Sequence, residues 1–426
     1  MENPQISHLL SNTQRSMRAL VLDGIGFTRS KVIDIPIPLP GPNELLARVD
    51  AAGICASLIK IIEQGSNHPT IYGWDLSQFP LILGDEGSIT LMEIGENLID
   101  SYQSGERYTI QPAVYHAPIR HRERYRNHAR GVDKMGVGYT LPGFLAEYII
   151  VGEEVLAANC LLPLPDDSLP YAHVAMAEPF SCVVASHEHH LHLVQAKATH
   201  PRKVTKGIKK NGVTLIIGAG AMGRMHIDQA LSAHPKAIIV SDLIQNRLDR
   251  AQLLFQLRAE KLGIELHLIN PKKSNLKDLV NQVSDVQGAD DVIVAVGAPE
   301  AVESAQHLVG RDGVLNIFGG LKSGNETIQL DANIVHYKET SVTGSSGGNI
   351  WDIVRSLELI ACKDIDPSAH ITRIGDLYHA PTLIQQIKAC ELDGKAVIYP
   401  HRRSKEILSV DRWSADDETA YLSDSE

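Results

Sequence analysis

Val213-Thr-Leu-Ile-Ile-Gly-Ala-Gly-Ala-Met-Gly223, then a run of helix formers to Ala233, then Ala237-Ile-Ile-Val-Ser-Asp242, is the stretch that decides the fold. Its apolar, β-branched opening reads as a buried strand. Gly218, Gly220 and Gly223 follow at G-x-G-x-x-G spacing, which makes a turn, lets a ligand approach the backbone and starts a helix whose N-terminal amides face a pyrophosphate. Asp242 falls at the end of a second strand. A carboxylate there accepts hydrogen bonds from both ribose hydroxyls of an adenosine and repels a 2′-phosphate, so the stretch predicts a site for NAD in preference to NADP. Met222 lies in the turn, and Arg247 is the first basic residue after Asp242.

Downstream the alternation of strand and helix continues. Residues 265–269 read as a strand, 276–286 as a helix, 289–297 as a strand ending in a glycine turn, 299–309 as a helix and 313–320 as a strand. This is a second mononucleotide half, with Gly297 and the pair Gly319-Gly320 expected on the nicotinamide side of the cleft. Upstream, residues 17–23 open a strand after a short leader. Ile33-Asp-Ile-Pro-Ile-Pro-Leu-Pro-Gly-Pro42 contains four prolines, which remove four ladder donors and confine it to an extended edge. Short strands with proline and glycine punctuation run on to about Val151, a β-rich region ahead of the α/β one.

Composition bounds the rest. The 426 residues are 43% apolar, enough for one or two ordinary cores. Forty basic residues against 51 acidic ones argue against a nucleic-acid partner. About half of the net −11 resides in the last stretch, where Asp411, Asp416, Asp417, Glu418, Asp424 and Glu426 oppose Arg412 alone, a segment expected to fray. Cys55, Cys160, Cys182, Cys362 and Cys390 are scattered, with no C-x-x-C, which suits a reducing, cytoplasmic setting. No apolar run approaches a membrane span, and residues 1–16 lack the apolar core of a secretory signal.

Three short motifs carry the chemistry: Ala52-Gly-Ile-Cys55-Ala-Ser57, Leu83-Gly-Asp85-Glu86 and Ala177-Glu178-Pro-Phe180. With them, and with 207–212 and Gly344-Ser-Ser-Gly-Gly-Asn349, the chain resembles the medium-chain zinc alcohol and polyol dehydrogenases from Met17 to about His401. Within that family it is most similar to the branch of the L-sorbose-1-phosphate reductases, with sorbitol and threonine dehydrogenases nearby. The resemblance implies an α/β protein of two parts, a GroES-like β-rich catalytic domain and a doubly wound Rossmann domain. Its expected boundaries are a leader at 1–16, the catalytic domain at 17–185 and 350–405, the NAD domain at 186–349 and an acidic tail at 406–426.

The resemblance also assigns roles. Cys55, Asp85, Glu86 and Glu178 are the implied zinc shell, and Ser57 is the hydroxyl that relays the substrate proton. Such a shell with an open position suits one catalytic zinc acting as a Lewis acid on an alcohol oxygen. Where the family pattern has histidine, this chain has Asp85, which ligates zinc at about 2.0–2.2 Å but adds a negative charge. The implied reaction interconverts a secondary alcohol of a polyol or sugar phosphate with its ketone, by hydride transfer to or from NAD, in a homodimer or homotetramer. The rival is a zinc-less, NAD-binding protein that keeps the fold without turnover.

Two further features follow. The loop at 114–139, where many family members carry four cysteines for a structural zinc, has none, so no structural zinc is expected. It holds His116, Arg120, His121, Arg122, Arg124, Arg126, His128, Arg130 and Lys134 against Glu123 and Asp133. That loop reads as a solvated or subunit-facing surface, with a clamp for a substrate phosphate as the sharper alternative. His187-Glu-His-His-Leu-His192, placed on a helix running from Ser181 to His192, would put its histidines in two i,i+3 pairs on different faces, a polar face rather than a zinc shell.

Overall fold

The computed structural model describes residues 15–115, 118–321 and 324–424. The chain forms two compact units, Met1–Met176 with Ile371–Glu426, and Ala177–His370. These divisions differ from the expected changeovers near 185 and 350, because the helix Ile350–Ala361 packs along the helix Ala177–Glu188 and both stay with the second unit.

The second unit is built on a six-stranded parallel sheet in the order Glu265–Ile269, Ala237–Ser241, Val213–Ile217, Ala289–Val294, Val309–Ile317, Ser341–Gly344. The strand reached first in the sequence is central and the order reverses beside it, which is the doubly wound arrangement with its crevice at the strand ends. Both faces are covered, so the central strands are apolar without alternation. Leu215, Ile239 and Val292 pack on one side, and Ile216, Ile238 and Ile293 on the other.

The first unit is β-rich. Strand Leu45–Gly53, almost wholly buried, pairs with Glu86–Ile94, Tyr148–Val151 and Lys395–Ile398 in an eight-stranded sheet. The return of the chain after Ile371 supplies three strands of that sheet. Ser30–Pro36, with the proline-rich run after it, lies at the edge of a smaller three-stranded sheet, where missing donors cost nothing.

As far as Asp424 the acidic C-terminal segment is held in the fold rather than frayed, and Glu426 lies outside the described residues. Ser414 and Asp417 form a capping box on the helix Ala415–Ser423, and Asp416, Asp417 and Glu418 fill its first turn, where negative charge suits the helix dipole. Glu418 is only 5% exposed: its carboxylate accepts from the backbone N–H groups of Tyr171 and Ala172 and from the Tyr399 hydroxyl, each at 2.7 Å. The buried acid is therefore a strap, and its charge is satisfied by three donors. The leader at 1–14 lies outside the described residues.

Candidate active site

In the first unit, antiparallel pairing of Leu45–Gly53 with Glu86–Ile94 sets Gly53 opposite Glu86. The residues just past one strand, Cys55 and Ser57, are thereby laid beside Asp85 and Glu86 at the start of the other. One ligand atom each from Cys55, Asp85 and Glu86 lie within 4.8 Å of one another. A Cβ at Gly53 would fall 1.9 Å from Glu86 Oε2, so the glycine leaves the space that carboxylate occupies. Ser57, the first residue of the helix Ser57–Gln64, donates its hydroxyl to Asp85 Oδ2 at 2.7 Å, and its N–H faces Cys55 Sγ at 3.4 Å.

Lys395 joins this group, and sequence reasoning missed it. Its Nζ donates to Glu86 Oε1 at 2.5 Å and to the Ile54 carbonyl at 3.2 Å, and it is 6% exposed. The partners are 309 residues apart, so no local pattern pairs them; the only signal is a lone lysine opening the apolar run Lys395-Ala-Val-Ile398. Burial, and after it the adjacent Glu86 carboxylate, push the Asp85 carboxyl up to about 6, against the opposing pull of the Ser57 hydroxyl and the Lys395 ammonium. Asp85 Oδ1 and Glu86 Oε2 are both buried without a hydrogen-bond partner. Two unpartnered anionic oxygens beside a thiol are costly in a dry site and fit a divalent cation. Glu178 is in the second unit, in the first turn of the helix Ala177–Glu188.

The second unit also holds the glycine turn. A Cβ at Gly223 would lie 1.8 Å from the Gly218 carbonyl oxygen, so only glycine lets the helix Ala221–Ser232 start this close to the strand, whereas a Cβ at Gly220 would make only an ordinary contact, 3.9 Å from Arg247 Nη1. Met222 is the second residue of that helix. Asp242 is 7% exposed; its Oδ2 accepts from Ala219 N at 2.7 Å and its Oδ1 from Ile244 N at 2.8 Å, with Arg247 Nη1 at 3.8 Å. These bonds fix the carboxylate at the mouth of a cavity of about 870 Å³ lined by Gly218, Asp242, Ile244, Arg247 and Lys272, a volume that fits an adenosine. The turns at Gly297 and Gly319 abut, a Cβ on Gly319 falling 2.4 Å from the Val296 carbonyl carbon.

The histidine-rich stretch is not one helix. The helix stops at Glu188, and His192 belongs to the strand Leu191–Val194, so histidines expected on opposite faces converge. His190 Nδ1 and His192 Nε2 meet Asp291 Oδ1 at 2.6 and 2.9 Å, while Lys209 N donates to Asp291 Oδ2 at 2.8 Å; all three side chains of the cluster are buried. Burial opposes ionisation of Asp291, but the hydrogen bonds from His190 and His192 outweigh it and hold the carboxyl well below the usual carboxylate range. The atoms left without partners are the outer ring nitrogens, His190 Nε2 and His192 Nδ1. A metal on the inner nitrogens would force protons onto these outer ones, where no acceptor waits, contrary to the usual ligand histidine. The cluster is a carboxylate clamp.

The basic loop is largely committed to its own lobe. Arg120 pairs with Glu44, Arg122 Nε faces the His128 carbonyl at 3.3 Å, and the Arg124 guanidinium lies 5.6 and 5.3 Å from the Trp74 and Phe79 ring centroids. His116 lies outside the described residues.

A parallel sheet of this strand order with its glycine turn is a dinucleotide-binding fold, and the same chain carries a pocket of one thiol and two carboxylates. Residues 41–166 match the alcohol dehydrogenase GroES-like domain, and residues 221–361 match the zinc-binding dehydrogenase family. The chain is 33% identical to mannitol-1-phosphate 5-dehydrogenase of Aliivibrio fischeri over 86% of its own length and 82% of the relative's. It is 28% identical to L-sorbose 1-phosphate reductase of Klebsiella pneumoniae, covering 85% and 83% of the two chains. The solved structure of galactitol-1-phosphate dehydrogenase from Escherichia coli shares the fold, with a TM-score of 0.68 at 19% identity over 90% of this chain and all of that one. The protein belongs to the medium-chain zinc-dependent alcohol and polyol dehydrogenase family, and is an oxidoreductase of small molecules. Among the described residues no helix is long and apolar enough to cross a membrane.

Proposed function

We propose that the protein interconverts a secondary alcohol of a polyol phosphate and the corresponding ketone, using NAD(H) and one zinc ion. The observation that carries the metal is the pair of partnerless buried oxygens, Asp85 Oδ1 and Glu86 Oε2, beside the Cys55 thiol. Cys55, Asp85 and Glu86 would hold the ion. The other oxygen of Glu86 is held by Lys395, whose ammonium offsets part of the negative charge facing the metal. When bound, zinc supplies a Lewis acid for the alcohol oxygen and NAD the hydride acceptor.

The protein's own groups do the rest. The Ser57 hydroxyl accepts the substrate proton as it passes its own to Asp85 Oδ2, to which it already donates, so the serine stays neutral. Asp242 receives the adenosine ribose hydroxyls and disfavours a 2′-phosphate, supporting NAD over NADP. The phosphorylated substrates named for the relatives support the substrate class. Spectrophotometric assay of the purified protein with NAD or NADP, against phosphorylated and free polyols, tests the reading. Reduction of NAD by polyol phosphates is expected; turnover confined to unphosphorylated alcohols, or to NADP, would overturn it.

A further inference from the structure

We propose that Arg224 is a positioning residue for the pyrophosphate of the dinucleotide, an inference that rests on the cofactor reading above. This arginine directly follows the third glycine of the turn and is the fourth residue of the helix Ala221–Ser232. A guanidinium keeps its charge at any working pH, and arginine is almost never fully buried unless its donors are used. Arg224 is 1% exposed. Its Nη1 donates to the Ala219 carbonyl oxygen at 2.8 Å, five residues back and inside the glycine turn itself. Its backbone N–H donates to the Gly220 carbonyl at 2.9 Å, so the arginine is tied to the turn from both its main chain and its side chain.

Ala219 stands between two glycines, Gly218 at φ +106° and Gly220, and a glycine on either side lets the intervening peptides swing with little resistance. Both polar backbone atoms of Ala219 are nonetheless held by charged side chains, its N–H by Asp242 Oδ2 at 2.7 Å and its carbonyl by Arg224. In a trans peptide the carbonyl and the following N–H point in opposite directions. With the Ala219 carbonyl turned to the buried guanidinium, the Gly220 N–H faces away from it, at the N-cap of the helix, and makes no hydrogen bond among the described residues. A helix N-terminus with its amides unspent is where a pyrophosphate binds. A Cβ on Gly220 would meet nothing nearer than Arg247 Nη1 at 3.9 Å, and Arg247 lines the adenosine-sized cavity, so a ligand oxygen can approach this backbone. The hydrogen bond into the Ala219 carbonyl also polarises the peptide, which makes its N–H a stronger donor. Arg224 thereby aims and strengthens a donor to the pyrophosphate without touching the cofactor.

The test sets the dissociation constants of ADP-ribose and adenosine side by side, by calorimetric titration, in wild type, Arg224→Met and Arg224→Lys. Only ADP-ribose carries the pyrophosphate. Its dissociation constant should rise about tenfold in Arg224→Met, the scale of one hydrogen bond to a charged group, while that of adenosine keeps its wild-type value. Arg224→Lys retains a charged donor and should recover most of the loss. Equal weakening of both ligands would give the arginine a merely structural role and overturn the proposal, as would an unchanged affinity for ADP-ribose. Should Arg224→Met fail to fold, wild type and Arg224→Lys decide, grown on isotope-labelled glycine. The Gly220 amide resonance, identified by its loss in Gly220→Ala, should shift in wild type when inorganic pyrophosphate is added, shift less in Arg224→Lys, and stay in place with adenosine. A resonance unmoved by pyrophosphate, or moved equally in the two proteins, overturns the inference. A wild type that binds ADP-ribose with Gly220 unmoved sinks the role of Arg224 alone, whereas one that binds no ADP-ribose sinks the cofactor reading with it.

Discussion

Among the described residues two clusters, one buried throughout and one with a half-buried cysteine, have the composition of metal sites, and they differ in what they leave over. Cys55, Asp85 and Glu86 in the β-rich unit leave two carboxylate oxygens without partners. His190, His192 and Asp291 in the α/β unit leave only outer imidazole nitrogens, their carboxylate being bonded by both rings and by a backbone N–H. An unsatisfied anion in a dry site calls for a cation, while an imidazole lone pair without a donor is a much smaller debt. Ligand identity alone would rank the histidine cluster first, and hydrogen-bond accounting reverses the order.

That contrast breaks most sharply at its two aspartates. Asp85→Ala removes a carboxylate needed for the cation, and kcat/KM should fall roughly a thousandfold, the scale of several kcal/mol attached to metal-ion catalysis; activity within tenfold of wild type would contradict the assignment. Asp291→Ala strips the clamp from two buried imidazoles and should cost about 3 kcal/mol of stability in the α/β unit, seen as a lower denaturation midpoint. A midpoint within error of wild type would show that the clamp holds nothing together.

Smaller effects sharpen the comparison within the α/β unit. Asp242→Ser should shift the ratio of NADP to NAD dissociation constants toward NADP on the order of tenfold, by removing one like charge from the 2′ position; titration of both cofactors reads it, and an unaltered ratio would mean that Arg247 and Lys272 set the preference. His187 is neutral in the folded protein because burial, and then His190, hold its pKa at about 3 instead of 6.5. Its stabilising contribution is therefore complete above about 6.5 and is lost as the pH falls from there toward 3. Melting temperatures measured across that window should decline with acidity, less steeply in His187→Gln; parallel slopes would show that other groups dominate.

How much of this was written locally in the chain follows from the range of each contact. The strand, glycine turn, helix and Asp242 fall within thirty residues, so periodicity and turn chemistry disclosed the dinucleotide half, and the structure has the strands close to where the pattern puts them. Cys55, Ser57, Asp85 and Glu86 were legible through short motifs that the family resemblance interprets, and the structure brings Cys55, Asp85 and Glu86 together. Lys395 was not, since its partner is 309 residues away and one lysine in a strand carries no signal of what it meets. The histidine stretch was misread because helical spacing was extended past Glu188; the contacts of His190 and His192 with Asp291, about a hundred residues on, favour a turn and strand over continued helix. The C-terminal acids were misread for the opposite reason. Charge density predicts fraying unless tertiary donors exist, and Tyr171, Ala172 and Tyr399 supply them to Glu418.

The most direct test is the zinc content, by mass spectrometry, of protein purified without added metal and dialysed against a weak chelator, for wild type, Asp85→Ala and Asp291→Asn. The account predicts about one zinc per chain in wild type and in Asp291→Asn, and essentially none in Asp85→Ala. Zinc retained in Asp85→Ala but lost from Asp291→Asn would place the metal in the histidine cluster and contradict the account.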